Sequence, residues 1–339
     1  EGSVVSAGIG CHTMAMWMGR NVVMGTHMGA EGAQWVGMAP FTETEHIFQN
    51  MGNGTYAHSG SMAVRYAASA DVNITFKLLY NGHTSMTGGQ AIMGSHPVAD
   101  IVSESLANGV KKIIVTTDHP ELYQGVGLAN GTEVWHRDRL DEAQRLLAQI
   151  KGTTMLIHDQ ECAAELRRSR SRGKAEDPVQ TIMINERVCE GCGDCGEKAN
   201  CMSIEPVATE FGRKTHIHQS SCNKDYSCVK GFCPSFMTIT PTVDASVAPE
   251  APRKKKKVVI PALTRDLPEP ALKFTGDFGV HLMGIGGTGS VTVAATIANA
   301  ARLEGKHVVG LDQTGLAQKG GAVVSDIKIT ASPFMGSNK

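Results

Sequence analysis

Net charge, aromatic rings and long apolar runs are all scarce in this sequence. The formal charge is −1 over 339 residues, so nothing draws the whole chain toward nucleic acid or an anionic membrane. No apolar run is long enough to cross a bilayer, and no secretory signal is recognisable. Aromatics make up only 5%, while 38 glycines and 16 methionines are plentiful, a composition that suits tight loops gripping phosphates. The chain opens at Glu1 in strand-like sequence and stops at Lys339 soon after a glycine-rich strand–helix beginning. It reads as a piece of a longer polypeptide. Seven of the nine cysteines fall between positions 189 and 233. Without a signal, and with the spacing described next, they point to metal in a reducing cytoplasm rather than to disulfides.

Cys189, Cys192 and Cys195 form a C-x2-C-x2-C run and Cys201 follows it. Cys222, Cys228 and Cys233 close the segment, and Pro234 comes directly after the last. Three close thiolates and a remote Cys-Pro match the bacterial ferredoxin arrangement around a cubane iron–sulfur cluster. By that logic Cys189, Cys192, Cys195 and Cys233 hold one [4Fe-4S] cluster. Cys201, Cys222 and Cys228 are left as a second site one ligand short, with His216, His218 or solvent as candidates. Zinc ribbons also use C-x2-C pairs, but the triple run and the Cys-Pro favour iron and sulfide over zinc. A ferredoxin-like domain is expected over 181–242.

Residues 1–165 alternate strand-like and helix-like stretches, which predicts an α/β fold with an open, mainly parallel sheet. Residues 46–49 read as a strand running into Gly52-Asn53-Gly54-Thr55, followed by a helix from about 58 to 70. Residues 73–80 read as the next strand, ending at Asn81. Further helices are expected over 98–108 and 138–150, and strands over 113–117 and 155–158. Asn53 and Asn81 thus sit at the carboxyl ends of two strands joined by a crossover helix, where open α/β sheets bind ligands. The pattern G-N-G, 26 residues, then Asn resembles the thiamine diphosphate motif, with Asn53 in the place of Asp. Gly52 and Gly54 let backbone approach a diphosphate, and a helix N-terminus adds N–H donors. Oxygens of Asn53 and Asn81, with a backbone carbonyl near His83, suit an octahedral Mg2+ bridging the phosphates. The missing carboxylate at 53 predicts weaker metal affinity.

Gly8-Ile9-Gly10-Cys11-His12, Gly29-Ala30-Glu31-Gly32-Ala33-Gln34-Trp35, Met86-Thr87-Gly88-Gly89-Gln90 and the stretch His158 to Cys162 together resemble the thiamine diphosphate domain of the indolepyruvate ferredoxin oxidoreductases. These belong to the 2-oxoacid:ferredoxin oxidoreductase superfamily. Residues 187–236 resemble the same family throughout, and Thr314 to Gly321 resembles its gamma-type domain. The resemblance implies that Gly10, Cys11 and His12 lie beside the cofactor, with Cys11 a pocket residue rather than an iron ligand. It implies oxidative decarboxylation of an aryl 2-oxoacid such as indolepyruvate, acyl transfer to coenzyme A, and electrons delivered to ferredoxin. Thiamine diphosphate, Mg2+ and [4Fe-4S] are the implied cofactors. No residue with a supporting motif supplies the carboxylate that thiamine activation needs, so the catalytic residues are unassigned and this stretch alone is not expected to turn over.

The basic run Arg167, Arg168, Arg170, Arg172, Lys174 reads as a solvated helix end and linker, 166–180. A sharper reading makes it a docking surface for acidic ferredoxin. Pro, Ala and lysines over 243–274 read as a tether. The last expected domain, 275–339, is a partial Rossmann-like unit of gamma type, with a glycine-rich turn at 284–289. Asp312 stands where a ribose ligand would, but the resemblance argues against a nicotinamide site. A cytoplasmic homo-oligomer, or an assembly with further domains, is expected, with no nucleic-acid or membrane partner. The competing functions are a stand-alone ferredoxin-like electron carrier and a zinc-ribbon interaction module.

Overall fold

The computed structural model describes residues 3–19, 21–23, 25–86, 89–129, 131–199, 201–241, 276–315 and 321–333. Thr87, Gly88, the expected tether 243–274 and residues 316–320 of the gamma-type stretch lie outside them. The chain divides into two compact units, 1–165 with 273–339, and 166–272.

In the first unit the chain runs β1 (Val4–Ser6), β2 (Val22–Val23), α1 (Ala33–Met38), β3 (Ile47–Gly52), α2 (Asn53–Thr55) and α3 (Ser61–Ser69). It continues through β4 (Ile74–Tyr80), the two-residue strands β5 (His83–Thr84) and β6 (Gln90–Ala91), α4 (Val98–Ala107), β7 (Ile113–Thr117), β8 (Glu133–His136), α5 (Leu140–Gln149) and β9 (Thr153–Asp159). Seven of these strands form one sheet in the order β2-β1-β3-β4-β9-β7-β8, with every neighbouring pair parallel. This is the expected open parallel sheet. Strands covered on both faces read as unbroken apolar runs, and every residue of β7, Ile-Ile-Val-Thr-Thr, is buried.

One face buries Ile74, Phe76, Leu78, Val115, Met155 and Ile157 against Trp35, Val64, Ala67, Ile101 and Val102 from α1, α3 and α4. The Trp35 indole N–H donates to the Asn73 carbonyl at 3.0 Å and ties α1 to the foot of β4. The opposite face meets α5, whose Ala143 and Leu147 pack on Ile114 and Leu156. The outer side of α5 carries an Asp141–Arg145 pair one turn apart, at 2.7 Å. Replacing fully buried Ile157 by Ala removes a side chain that the packed sheet cannot collapse around. A loss of about 2–5 kcal/mol is expected, read as an earlier urea transition of this unit.

The second unit holds α6 (Ala163–Ser171, which begins just before it), β10 (Thr181–Ile184), α7 (Asp194–Ala199), the hairpin β11 (Ile204–Thr209) and β12 (Gly212–Ile217), and β13 (Phe236–Ile239). β13 returns to pair antiparallel with β10, Ile184 opposite Phe236. Ile182, Ile184, Ile217 and Cys189 form its small core. So few apolar side chains contribute that metal is the expected staple.

The last segment places β14 (Phe278–Ile285), α8 (Ser290–Leu303) and β15 (His307–Thr314) as the glycine-rich strand–helix–strand reading predicts. The two strands are not neighbours, however. β16 (Ala322–Thr330) lies between them, antiparallel to both. Its alternation decides this: Val323, Ser325, Ile327 and Ile329 are buried, and the two isoleucines pack with Ala294 and Ala301 of α8. Asp312 accepts a hydrogen bond from the Ser325 hydroxyl at 2.6 Å, which employs it within the sheet.

His46 lies edge-on to Phe48, and its ring Nε2 meets the Thr75 hydroxyl at 2.8 Å. Burial lowers its pKa from 6.5 to about 4, so it stays neutral in the fold where the unfolded chain takes up a proton. That preference supports the fold above pH 6.5 and is lost as the pH falls toward 4. The melting temperature is expected to fall across that window, and His46→Gln should flatten the fall, with each kcal/mol worth about 2–4 °C.

Candidate cofactor and cluster sites

β1 and β3 are neighbours whose onward connections diverge, β1 to β2 on one side and β3 to β4 on the other. Such a switch point opens a crevice at the carboxyl ends of the strands. The loop after β1 is Ala7 to His12 and the turn after β3 is Gly52-Asn53-Gly54. A Cβ at Gly8 would lie 2.2 Å from the Asn50 carbonyl oxygen, so only glycine lets the β1 loop pass this close to β3. His12 folds back over the loop, its Cε1 3.8 Å from where a Cβ on Gly52 would stand. The Thr55 hydroxyl donates to the Ile9 carbonyl at 3.3 Å. From the next strand, the Thr84 hydroxyl lies 3.4 Å from a Cβ built on Gly54. The sheet therefore brings together Gly10, His12, Gly52, Asn53, Gly54 and the segment beginning at His83, all read from sequence as cofactor residues. Cys11 lies in the same loop, exposed and free.

The helix starts earlier than expected. Asn53 is its first residue, and a π-type turn, Tyr56–Gly60, joins α2 to α3. Turns of this kind cluster at functional sites. Asn53 is 6% exposed. Its side-chain oxygen accepts from the Gly54 N–H at 3.1 Å, while its Nδ2 is buried without a partner. His12 Nε2 is likewise buried and unpartnered. Burial, reinforced by the positive charge of Lys77, holds the His12 imidazole at a pKa of about 4, so it is neutral at pH 7. Two unpaired polar atoms beside a helix start and a glycine-lined turn fit a polar, phosphate-bearing ligand.

The Mg2+ donor set fits less fully. The Asn81 side-chain oxygen accepts from the His83 N–H at 3.0 Å, and its amide nitrogen donates to Ser85 at 3.0 Å. Asn53 and Asn81 keep a free lone pair each, but neither brings charge.

Sequence reasoning gave no role to Glu31, which is 0% exposed. One carboxylate oxygen accepts from the Ile9 N–H at 3.2 Å and the other from the Gly29 N–H at 2.7 Å. Beneath it, the Gln34 amide donates to Ser6 Oγ and to Gln49 Oε1, and the Gln49 amide to the Ala7 carbonyl. Glu31 is flanked by Gly29 and Gly32, both with positive φ, and that Gly-x-Glu-Gly signal marks a charged residue held in a turn rather than on a surface. Lys77 was also missed. It lies 5.0 Å over the Phe48 ring, and burial lowers its pKa to about 8.

In the second unit the thiols fall into two groups. Burial raises the Cys195 pKa, and its thiol neighbours are Cys189 and Cys192. Burial likewise raises that of Cys228, whose thiol neighbours are Cys222 and Cys201. The sequence reading adds Cys233 to the first of these groups, and neither set of neighbours includes it. Two sulfurs already accept backbone N–H bonds, Cys189 from Gly191 at 3.3 Å and Cys222 from Lys224 at 3.4 Å, as cluster thiolates do. Gly191 has φ +69, and a Cβ there would meet the Arg213 carbonyl oxygen at 2.1 Å. Lys224 and Tyr226 take positive φ without being glycine, local strain that curls the chain around Cys222. Cys233 is exposed at the approach to β13, where the Ser235 carbonyl accepts from the Asn185 N–H at 2.7 Å. Among the described residues no three Cys, His, Asp or Glu side chains converge on a single-ion site.

The two histidines proposed for the incomplete site differ. His218 contacts the Ser220 and Ser221 hydroxyls beside Cys222. His216 lies 3.9 Å from Glu205, with its Nδ1 buried and unpartnered.

The described residues contain no helix long and apolar enough to cross a membrane. No curated protein matches the chain. A 2-oxoglutarate:ferredoxin oxidoreductase from Magnetococcus marinus, solved with 2-oxoglutarate, coenzyme A and succinyl-CoA bound, is similar over 47% of this chain and 54% of its own, with 18% identity and a TM-score of 0.36. A Mycobacterium smegmatis protein described as a thiamin diphosphate-dependent enzyme is similar over 48% of this chain and 29% of its own, with 15% identity and a TM-score of 0.32. The chain thus spans about half the length of the first and less of the second. Residues 279–337, which take in β15, β16, α8 and nearly all of β14, match the pyruvate ferredoxin/flavodoxin oxidoreductase family.

Proposed function

We propose that this chain is part of a 2-oxoacid:ferredoxin oxidoreductase acting on an aryl 2-oxoacid such as indolepyruvate, with coenzyme A as acyl acceptor and ferredoxin as electron acceptor. The observation that carries this reading is the meeting of the Gly8–His12, Gly52–Gly54 and His83–Thr84 segments at the switch point of the sheet. The two thiol groups and the family match over 279–337 support it. Bound thiamine diphosphate supplies the electron sink for loss of CO2, and iron–sulfur clusters take electrons one at a time.

The chain's own residues have defined tasks in this reading. Gly52 and Gly54 admit the diphosphate, and the backbone N–H groups of the first turn of α2 face its charge. Asn53 and Asn81, with a carbonyl near His83, hold Mg2+ against the phosphates. His12, neutral at pH 7, serves as a hydrogen-bonding group at the cofactor's edge. Cys189, Cys192 and Cys195 with Cys233 hold one cluster, and Cys201, Cys222 and Cys228 belong to a second. Glu31, the carboxylate beside these loops, accepts one backbone N–H at each oxygen and so holds the Ile9 and Gly29 loops in place.

Three outcomes are expected from the 339-residue chain purified without oxygen. It should carry iron and acid-labile sulfide, while zinc at stoichiometric level without iron would instead favour a ribbon module. Calorimetry should register thiamine diphosphate binding only with Mg2+ present, and Asn53→Asp should tighten it about tenfold, or 1.4 kcal/mol. Absence of any binding heat in both forms would leave a ferredoxin-like carrier as the better description. Viologen reduction with indolepyruvate and coenzyme A should not rise above the enzyme-free blank.

A further inference from the structure

Lys77 is a half-buried cation to which the cofactor reading gives no task. Its ammonium donates to Gln144 Oε1 of α5 at 3.3 Å and lies 5.0 Å over the Phe48 ring. Among the described residues no carboxylate pairs with it, and burial alone accounts for the fall of its pKa to about 8. Lys77 stands opposite Asn50 in the parallel register, two residues before Leu79, which stands opposite Gly52. Residues two apart on a strand share a face, so Phe48, Asn50, Lys77 and Leu79 all point to the side that Gly52 faces. His12 lies on that side too, its Cε1 3.8 Å from where a Cβ on Gly52 would stand. α1, α3 and α4 pack on the opposite face, and α5 covers Ile114 and Leu156 further along the sheet. A strip of β3 and β4 is thereby left between α5 and the β1 loop, running up to the Gly52 turn.

This strip carries spare donors and no acid. Outside the strand ladder Asn50 is engaged only through its backbone carbonyl, which accepts from the Gln49 amide at 2.9 Å, so its side-chain amide is open. His12 Nε2 is buried and unpartnered. Glu31, beside the β1 loop, keeps its oxygens on the Ile9 and Gly29 N–H groups. An ammonium and a neutral amide on neighbouring strands, about 5 Å apart, are donors matched to a carboxylate.

We propose that Asn50 and Lys77 receive the carboxylate of the 2-oxoacid, with its oxo carbon toward the Gly52 turn. The inference rests on the proposed function for its ligand class. Strand spacing and rise put positions 52 and 77 about 8 Å apart, so a ligand held at Lys77 by its carboxylate extends along the strip to the crevice. The bound carboxylate offsets the cost of keeping an ammonium out of water. It also counters the positive charge that Lys77 exerts on His12. Binding therefore raises the proton affinity of His12, and the imidazole becomes a reporter of the site.

The test uses the anaerobically purified 339-residue chain without cofactor, with pyruvate and indolepyruvate as probes and uncharged methyl pyruvate as the comparison. Calorimetry should register both acids and not the ester. Lys77→Met should weaken the acids about tenfold and Asn50→Ala about threefold, whereas Lys77→Arg keeps the charge and should retain most of the affinity. Gln144→Glu gives the ammonium a carboxylate of its own and should block binding even if Lys77→Met fails to fold. By nuclear magnetic resonance the His12 ring signal, identified by its loss in His12→Gln, should titrate at higher pH once pyruvate is added, and should not respond in Lys77→Met. Neither acid binding, the ester binding as well as the acids, or affinity unchanged in Lys77→Met and Gln144→Glu would each overturn this inference. None of these results touches the iron and thiamine diphosphate measurements that decide the proposed function. A chain that holds neither of those yet captures 2-oxoacids at Lys77 fails the proposed function and keeps this site.

Discussion

The cofactor side of this protein depends on one buried carboxylate. Glu31 is out of contact with water, and a carboxylate in that position is costly unless N–H groups surround it. It finds them in two loops, at Ile9 and Gly29. The attachment holds the Gly8–His12 loop down on β3, which in turn buries His12 and strips it of its proton. Removing the carboxylate would leave two backbone N–H groups unpaired in the interior and release the loop that lines the crevice.

Much of the architecture is legible because its causes are local. The all-buried run of β7, the amphipathic α5 and the strand–helix–strand around Gly52 each declare themselves through apolar spacing. Other features depend on partners distant in sequence. Nothing near Glu31 says that Ile9 will come to it, and nothing near Lys77 says that Phe48 and Gln144 of α5 will lie against it. Arg167 and Arg170 look like solvated charge because the carbonyls they grip are more than 50 residues further on. The G-N-G turn illustrates a boundary effect: Asn53 is read as a loop residue and is in fact the first residue of a helix.

The two candidate sites use opposite electrostatic strategies. The crevice at the β1/β3 switch point is largely dipolar: His12 is neutral, Asn stands where related motifs carry Asp, and the charges beside it are Lys77, which acts on His12, and Glu31, which is hydrogen-bonded to backbone. A charged ligand would therefore meet oriented dipoles more than side-chain ions, which favours orientation over sheer attraction. The cluster segment does the reverse, with two guanidinium groups and a lysine ammonium braced on the single turn that carries Cys222.

The order of strands β14-β16-β15 constrains how the last segment can be made. Neither β14 nor β15 pairs with the other, since each takes its hydrogen-bonding partner from β16. During synthesis the ribosome therefore releases two open-edged strands and α8 before their shared partner appears at Ala322–Thr330. At elongation rates of about 5–20 residues per second, the interval from the end of β14 to the end of β16 lasts a few seconds. Until it ends, Val280 and Leu282 of β14, and Val308 of β15 once it is made, lack the β16 isoleucines they pack with in the folded sheet. The window in which this segment is open to mispairing is thus set by translation speed rather than by the stability of the finished sheet.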